Sequence, residues 1–526
     1  MIAAWILGGC APVDTPTPEE FFFEIRSRVG IGDLSVASDV PLLDVRWSLD
    51  GQEVPGAIVP ATEVYPGDRW TVELTAVDGR GGTAFYTVPE PLGGNVLVLL
   101  IDDVGVDKVG AYGWDTASPT PRIDALAQDG VRFTRAYASP VCSPTRGTLI
   151  TGRQPRRTGL GWIVDTGSRD GMLPLAATTI PEALRVSRGL EPWQDGAIGK
   201  WHMAGPNAPD WLLHPLNSGF SWFVGSPGNP QYAADRGYYR WDKNVNGVVE
   251  TSTTYMTTDS VDEALDRIDA MAEPWFLYVA FNAPHGPLNL PPAELVSGPL
   301  PAEDAPKDQR YDAVLEALDT EIGRLLDSMA PGVLERTTVM AIGDNGTSDA
   351  GVPDSGDLGR NKHTPYEGGI RVPFIVSGPH VRDPGRTSEA LIHVADVLPT
   401  VADLAGVPLG GPDGEFLEVG GGVEIDGRSL LPHLMNTDAP GRDWVYAEAV
   451  GNGPPPYPID RRAVQTGTHK LVRWAGGDEF FRLEGPYFWD VQALDEDELD
   501  AADIDVLEAL RGVLDGAEQT WAYEGF

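Results

Sequence analysis

The stretch Asn95–Ile101 (NVLVLLI) constrains the fold of this chain more than any other. A continuous apolar run of strand length offers no polar face to solvent, so it reads as a strand buried on both sides. Residues 275–281 (WFLYVAF) read the same way, and residues 337–342 and 373–376 supply further strands. Helical patterns lie between them. Thr120 takes a cap position, Pro121 the first helical position, Ile123, Leu126 and Ala127 share a face, and Gly130 marks the stop. Ser260-Val261-Asp262-Glu263 reads as a capping box that opens a helix to about Met271. Residues 311–329 are amphipathic, with Val314, Leu315, Leu318, Ile322, Leu325 and Leu326 on the apolar face. Strands alternating with helices imply an α/β sandwich around a mostly parallel sheet.

In such sheets function gathers at the carboxyl ends of strands. The first buried strand ends in Asp102-Asp103, and the strand at 337–342 runs into Gly343-Asp344-Asn345-Gly346. Three carboxylates and an amide are hard oxygen donors, suited to calcium or magnesium. Each signal also has a plain structural alternative, since Asp after a strand forms Asx turns and Asn-Gly forms hairpin turns.

Upstream the rhythm changes. Within residues 21–91, LLDVRWSL, WTVELTAV and TAFYTV are separated by turns at Asp50-Gly51, Pro66-Gly67-Asp68 and Gly81-Gly82. This spacing predicts an all-β, immunoglobulin-like domain without a catalytic grouping, either a spacer or weak binding module or an extension packed on the main domain. The expected organisation is a leader and Pro-rich tether at 1–20, the β domain at 21–91, a catalytic domain at 92–436 and a C-terminal subdomain at 437–526.

Charge narrows the choice of partner. The chain has 38 Lys and Arg against 78 Asp and Glu, a formal net of −40. That argues against nucleic acid, whose phosphates need clustered cations. An anionic substrate would require a locally positive pocket. No apolar run is long enough to span a bilayer. Two cysteines, Cys10 and Cys142, leave no disulfide framework.

Cys142 sits in the run Cys142-Ser143-Pro144-Thr145-Arg146-Gly147-Thr148-Leu149-Ile150-Thr151-Gly152-Arg153, which resembles the C-x-P-x-R signature of the sulfatases and its following Thr-Gly-Arg. A lone cysteine is ordinarily a small buried hydrophobe; the surrounding residues carry the likeness. Gly199-Lys200-Trp201-His202 resembles the family's G-K-W-H element, and Ala283-Pro284-His285-Gly286-Pro287 its P-H-x-P loop. Residues 362–373, from Lys362 through Tyr366-Glu367-Gly368-Gly369 to Arg371-Val372-Pro373, resemble its K-x-x-x-Y-E-G-G-x-R-V-P element. His393 to Thr400, Asp426 to Leu431 and Phe488-Trp489-Asp490-Val491 resemble downstream segments, so the likeness runs from about Leu92 to the C-terminus.

The resemblance implies an alkaline-phosphatase-like fold with a small C-terminal antiparallel sheet and a closing helix. It also implies oxidation of Cys142 to formylglycine by a dedicated maturation enzyme, and calcium (ahead of magnesium) held by Asp102, Asp103, Asp344, Asn345 and residue 142. The cation and Arg146 would favour the deprotonated, attacking hydroxyl of the hydrate, and Lys200 and Lys362 would neutralise the sulfate oxygens. His285 with Lys362 would protonate the departing alcohol, and His202 would serve as the base that releases sulfate. The implied substrate is a sulfate monoester of a carbohydrate. Separately, Trp211, Trp222 and Tyr232 lie on loops expected to shape the outer pocket, where they either stack on a sugar ring or serve as packing residues. Two other readings fit part of this pattern: a phosphatase or phosphonate monoester hydrolase of the same superfamily, and a non-catalytic glycan-binding lipoprotein. Finally, Leu7-Gly8-Gly9-Cys10 resembles a bacterial lipobox, which implies export, lipidation of Cys10, and a periplasmic or cell-surface location.

Overall fold

The computed structural model describes residues 93–164, 171–185, 192–232, 236–353, 359–407, 425–435, 439, 441–474, 477–483, 490 and 492–520, together with short strands between residues 2 and 87. The chain divides into two units. Residues 1–93, 183–192 and 399–425 form the first, and 94–182, 193–398 and 426–526 the second.

In the first unit, β1 (Ile2–Ala3), β2 (Phe23–Arg26) and β3 (Ser35–Ser38) form one antiparallel sheet. A second contains β4 (Leu42–Leu49), β5 (Gln52–Val54), β6 (Arg69–Ala76) and β7 (Gly81–Thr87), in the order β5-β4-β6-β7. Trp47 and Val72, opposite each other on β4 and β6, are fully buried. These ladders have the strand character that the alternation predicts. The immunoglobulin-like arrangement goes beyond them, and Cys10 with its tether lies outside the described residues.

The second unit is built on a ten-stranded sheet. Its strands are β8 (Asn95–Ile101), β9 (Gly130–Tyr137), β10 (Gln194–Gly199), β11 (Phe223–Gly225), β12 (Trp241–Val245), β13 (Val248–Ser252), β14 (Trp275–Ala280), β15 (Thr337–Gly343), β16 (Phe374–Ser377) and β17 (Arg386–His393). They lie in the order β13-β12-β11-β10-β14-β8-β15-β16-β9-β17. β8 is central, parallel to both β14 and β15, and every residue of these three strands is buried. The seven-residue apolar run therefore does what its composition requires. One face, with Leu97, Leu99 and Ile101, packs against the helices Met256–Ala270 and Lys307–Ser328 through Val261, Ile268, Val314, Leu318 and Ile322. Each such aliphatic side chain contributes about 1.5–3 kcal/mol on burial.

Two helix starts differ from expectation. Thr120 does precede the helix Pro121–Gln128, but its hydroxyl donates to Asp124 and accepts from Gly110 N–H. The first-turn amides of Arg122 and Ile123 instead donate to Asp319, at 2.9 and 2.8 Å. A carboxylate from a distant helix thus caps this one, which no local pattern encodes. The Ser260 capping box is also corrected. The helix begins a turn earlier, at Met256, and the Ser260 hydroxyl donates back to Met256 O within it.

At the C-terminal end β18 (Val445–Val450), β19 (Asp460–Gln465), β20 (His469–Trp474) and β21 (Gly477–Arg482) form an antiparallel sheet in sequence order. The helix Ala501–Thr520 covers it, with Leu507, Leu510 and Leu514 packed on Tyr446, Val464 and Leu471. Asp490, the described residue of the Phe488–Val491 segment, is buried and accepts from Glu367 N–H.

Buried His214 makes the unit acid-sensitive. Burial pushes its pKa down to about 4, so it stays neutral while the unfolded chain protonates near the ordinary value of 6.5. The stability it supports is present above that value and is lost as pH falls from about 6.5 toward about 4, by roughly 3 kcal/mol. Asp319, raised to about 6 by burial, works in the opposite direction. The His214 contribution is therefore read by difference: in urea unfolding at pH 7 and pH 4.5, His214→Asn loses less stability on acidification than wild type. Equal losses would contradict it.

Candidate active site

The sheet brings its chemistry to the carboxyl ends of β8 and β15. Parallel pairing in register sets Gly343 beside Ile101, so Asp102-Asp103 and Asp344-Asn345 emerge side by side. Asp344 N–H donates to Ile101 O and Asp103 N–H donates to Asp344 Oδ1 at 3.0 Å. Asp103 adopts φ +64°, a left-handed conformation uncommon outside glycine and tolerated here because neighbouring bonds fix it. One of these bonds comes from Tyr311, whose hydroxyl donates to Asp103 O at 2.6 Å.

Cys142 is the first residue of the helix Cys142–Thr151, and Arg146 lies one turn on, on the same face. That is the physical content of the C-x-P-x-R spacing. Pro144 falls in the first turn, where a missing N–H costs little, and Gly152 ends the helix at φ +67°. Cys142 Sγ lies 3.4 Å from Asp102 Oδ1 and 3.9 Å from Asp103 Oδ1. Lys362 Nζ is 3.3 Å from the sulfur and ion-pairs with Asp103. Lys200 Nζ donates to Asp102 Oδ2 at 2.5 Å. Arg146 donates to Asp344 Oδ2 at 2.8 and 3.2 Å, and to Lys200 O at 2.8 Å. Three carboxylates thus face three cations, all buried. The helix N-terminus adds a partial positive charge suited to an anion.

This crowding sets the protonation states. Burial raises the Asp103 carboxyl, but Lys362, His285 and Lys200 together outweigh it and hold it below the usual range. Asp344 is pushed up by burial and by Asp102, against Arg146. Burial and then Asp102 push the Cys142 thiol well above its ordinary value. Lys362 would be lowered by burial, yet Asp103 holds it well above normal. Burial takes His285 down to about 3; its Nε2 is 4.0 Å from Asp103 Oδ2 and its Nδ1 is 2.8 Å from Gly286 O.

The donor set fits a hard cation. One ligand atom from each of Asp102, Asp103, Asp344 and Cys142 falls within 4.8 Å of the others. Asn345 donates its amide N–H to Asp103 at 3.0 Å, while its buried Oδ1 has no hydrogen-bond partner among the described residues. An unsatisfied buried oxygen beside three carboxylates is what a divalent oxygen-seeking ion would complete.

His202 follows Lys200 on the loop after β10. It is buried, adopts φ +56°, lines a cavity of about 630 Å³, and its Nε2 is 3.5 Å from Asn229 Nδ2. Gly199 makes this loop possible: at φ +84°, a Cβ there would come within 2.1 Å of Ala280 O. Of the stacking candidates, Trp211 and Tyr232 line the cavity. Trp222 packs against the core and lies under Arg267. Several motif residues prove structural. Lys470 bridges Glu367 and Asp490, at 2.8 and 3.2 Å, with all three buried, and Tyr366 donates to Glu479. They tie the Lys362 loop to the C-terminal sheet. Sequence reasoning missed Tyr311, Tyr238 and Asn282. Tyr238 holds the His285 loop by donating to Asn282 O and His285 O, and Asn282 bridges to Ser226. Nothing in their local patterns separates them from core aromatics or a loop amide.

The sulfatase family model matches residues 94–407. Among curated proteins, the chain is 31% identical to human (Homo sapiens) arylsulfatase A over 407 residues, covering 72% of this chain and 74% of that protein. It is 30% identical to dog (Canis lupus familiaris) N-acetylgalactosamine-6-sulfatase over 404 residues, covering 70% and 71%. Among solved structures, Ps i-CgsB in complex with k-i-k-neocarrahexaose superposes with a TM-score of 0.66 at 25% identity, covering 82% of this chain and 95% of that one. With the matched region spanning Asp102, Cys142, Lys200, His285, Asp344 and Lys362, the chain belongs to the sulfatase family and is a sulfuric ester hydrolase.

Proposed function

We propose that the enzyme hydrolyses sulfate monoesters of a carbohydrate, with formylglycine made from Cys142 as nucleophile and a bound calcium ion. The observation that carries this reading is the setting of residue 142. Burial and carboxylates raise its thiol pKa, so an unmodified cysteine there is a poor thiolate nucleophile. An oxygen at the same point would join a set of hard donors. The glycan part of the proposal is supported by the k-i-k-neocarrahexaose complex of the similar Ps i-CgsB.

Asp102, Asp103, Asp344 and Asn345 would hold the cation. When bound, calcium supplies Lewis-acid polarisation and favours a deprotonated hydroxyl at residue 142. Formylglycine supplies two hydroxyls on one carbon when hydrated, so one accepts the sulfuryl group and loss of the other's proton releases sulfate. The protein's own residues do the rest. Arg146, fixed by Asp344 and Lys200 O, presents its guanidinium beside residue 142. Lys200 and Lys362 neutralise charge that spreads over the sulfate oxygens. Lys362, which Asp103 keeps protonated, is the standing acid for the leaving oxygen. His285, neutral in the free site, joins it by taking up a proton once the sulfate anion lies beside it, and His202 accepts one when sulfate departs.

Cys142→Ser, with one hydroxyl, should release at most one equivalent of alcohol and retain sulfate on the protein, seen as a burst by quenched flow and as added mass. His202→Ala should likewise slow sulfate release more than alcohol formation. Steady turnover by the serine variant at the wild-type rate would contradict the nucleophile assignment.

Calcium should stabilise the chelated protein, by about 2.7 kcal/mol at a hundred times its Kd. Asn345→Ala should weaken binding at least about tenfold in calorimetry. Unchanged affinity would remove Asn345 from the ligand set.

A further inference from the structure

Of the groups given a chemical role above, His202 alone lines the 630 Å³ cavity, and the rest of the lining has no assigned role. The size suits a small organic ligand. His202 lies on the lining together with Trp211, Gln231, Tyr232, Trp241 and Asp242. Tyr232 sets this cavity against the reacting centre. A Cβ on Gly286 would come within 2.2 Å of Tyr232 Oη, and Gly286 follows His285, which faces Asp103.

Asp242 is the informative group. It stands on β12, ion-paired through Oδ1 with Arg236, while Gln231 Nε2 reaches its Oδ2 at 3.4 Å. About a third of the side chain (35%) is exposed. A carboxylate held in this way keeps lone pairs for further donors. Neighbouring hydroxyls of a pyranose supply such donors, and aromatic walls accept its C–H faces. A second sulfate or a carboxylate on that ring would bring only acceptors and a like charge. The lining reinforces this choice, because among the described residues it carries Asp242 and no Lys or Arg, so a second anionic group would meet no cation on these walls.

We propose that this cavity holds the sugar ring bearing the scissile sulfate, that Asp242 accepts hydrogen bonds from its hydroxyls, and that the ring is otherwise neutral. Asp242 is thus a specificity residue. The inference rests on the glycan sulfatase reading, and its test separates the two. Matured, calcium-loaded enzyme is assayed on an aryl sulfate, on a panel of monosulfated methyl pyranosides and on disulfated counterparts. The best monosulfated pyranoside should exceed its disulfated counterpart in kcat/KM by about tenfold or more, and Asp242→Asn should lower the pyranoside-to-aryl ratio of kcat/KM about tenfold, mainly through KM, as expected for one lost charge-assisted hydrogen bond. A disulfated ring used as well as the monosulfated one, or an unchanged ratio in the variant, overturns the proposal. No turnover of the aryl sulfate by wild type would instead overturn the sulfatase chemistry beneath it.

Discussion

Everything in the catalytic unit depends on the mutual neutralisation of three carboxylates and three cations around Cys142. Asp102, Asp103 and Asp344 are forced together by the register of two parallel strands, and like charges so close and so buried would not stay ionised alone. Lys200, Lys362 and Arg146 reach them from three separate segments, and each is itself buried. Removing one member would leave an uncompensated charge in a dry site, at a cost of several kcal/mol. The cluster therefore holds the loops as firmly as the loops hold the cluster. It also answers the paradox of the composition: a chain of net −40 binds an anion by concentrating a few cations where the field is least screened.

A supporting layer fixes these cations. Lys362 sits on a loop anchored by the buried Glu367–Lys470–Asp490 network, which ties it to the C-terminal sheet. Arg146 is set one helical turn from Cys142 and is held at both ends, by Asp344 and by the carbonyl of Lys200. The His285 loop hangs on Tyr238. Such preorganisation lets the site stabilise developing charge without reorganising during the reaction.

Sequence alone made much of this legible, for identifiable reasons. A strand buried on both faces cannot hide its apolar run, so β8 and β14 are read almost to the residue. Cys142 and Arg146 are readable because their run resembles the sulfatase signature, and the helix Cys142–Thr151 shows what that spacing does. Features that depend on distant partners were not readable. The cap of the helix Pro121–Gln128 comes from Asp319, about two hundred residues away. The start of the helix Met256–Ala270 precedes a Ser260 that imitates a cap. Trp222 looked no different from Trp211 in sequence, yet only Trp211 of the two lines the cavity. Tyr311 looked like another core aromatic, and its hydroxyl braces the strained Asp103.

The central claim is that residue 142 acts as a carbonyl carbon and not as a sulfur. Peptide mass spectrometry of protein produced with a competent maturation enzyme measures this directly. The account predicts that the peptide containing residue 142 has lost its sulfur and carries an aldehyde that reacts with hydrazides. A fully active preparation in which that peptide retains a free thiol would contradict it.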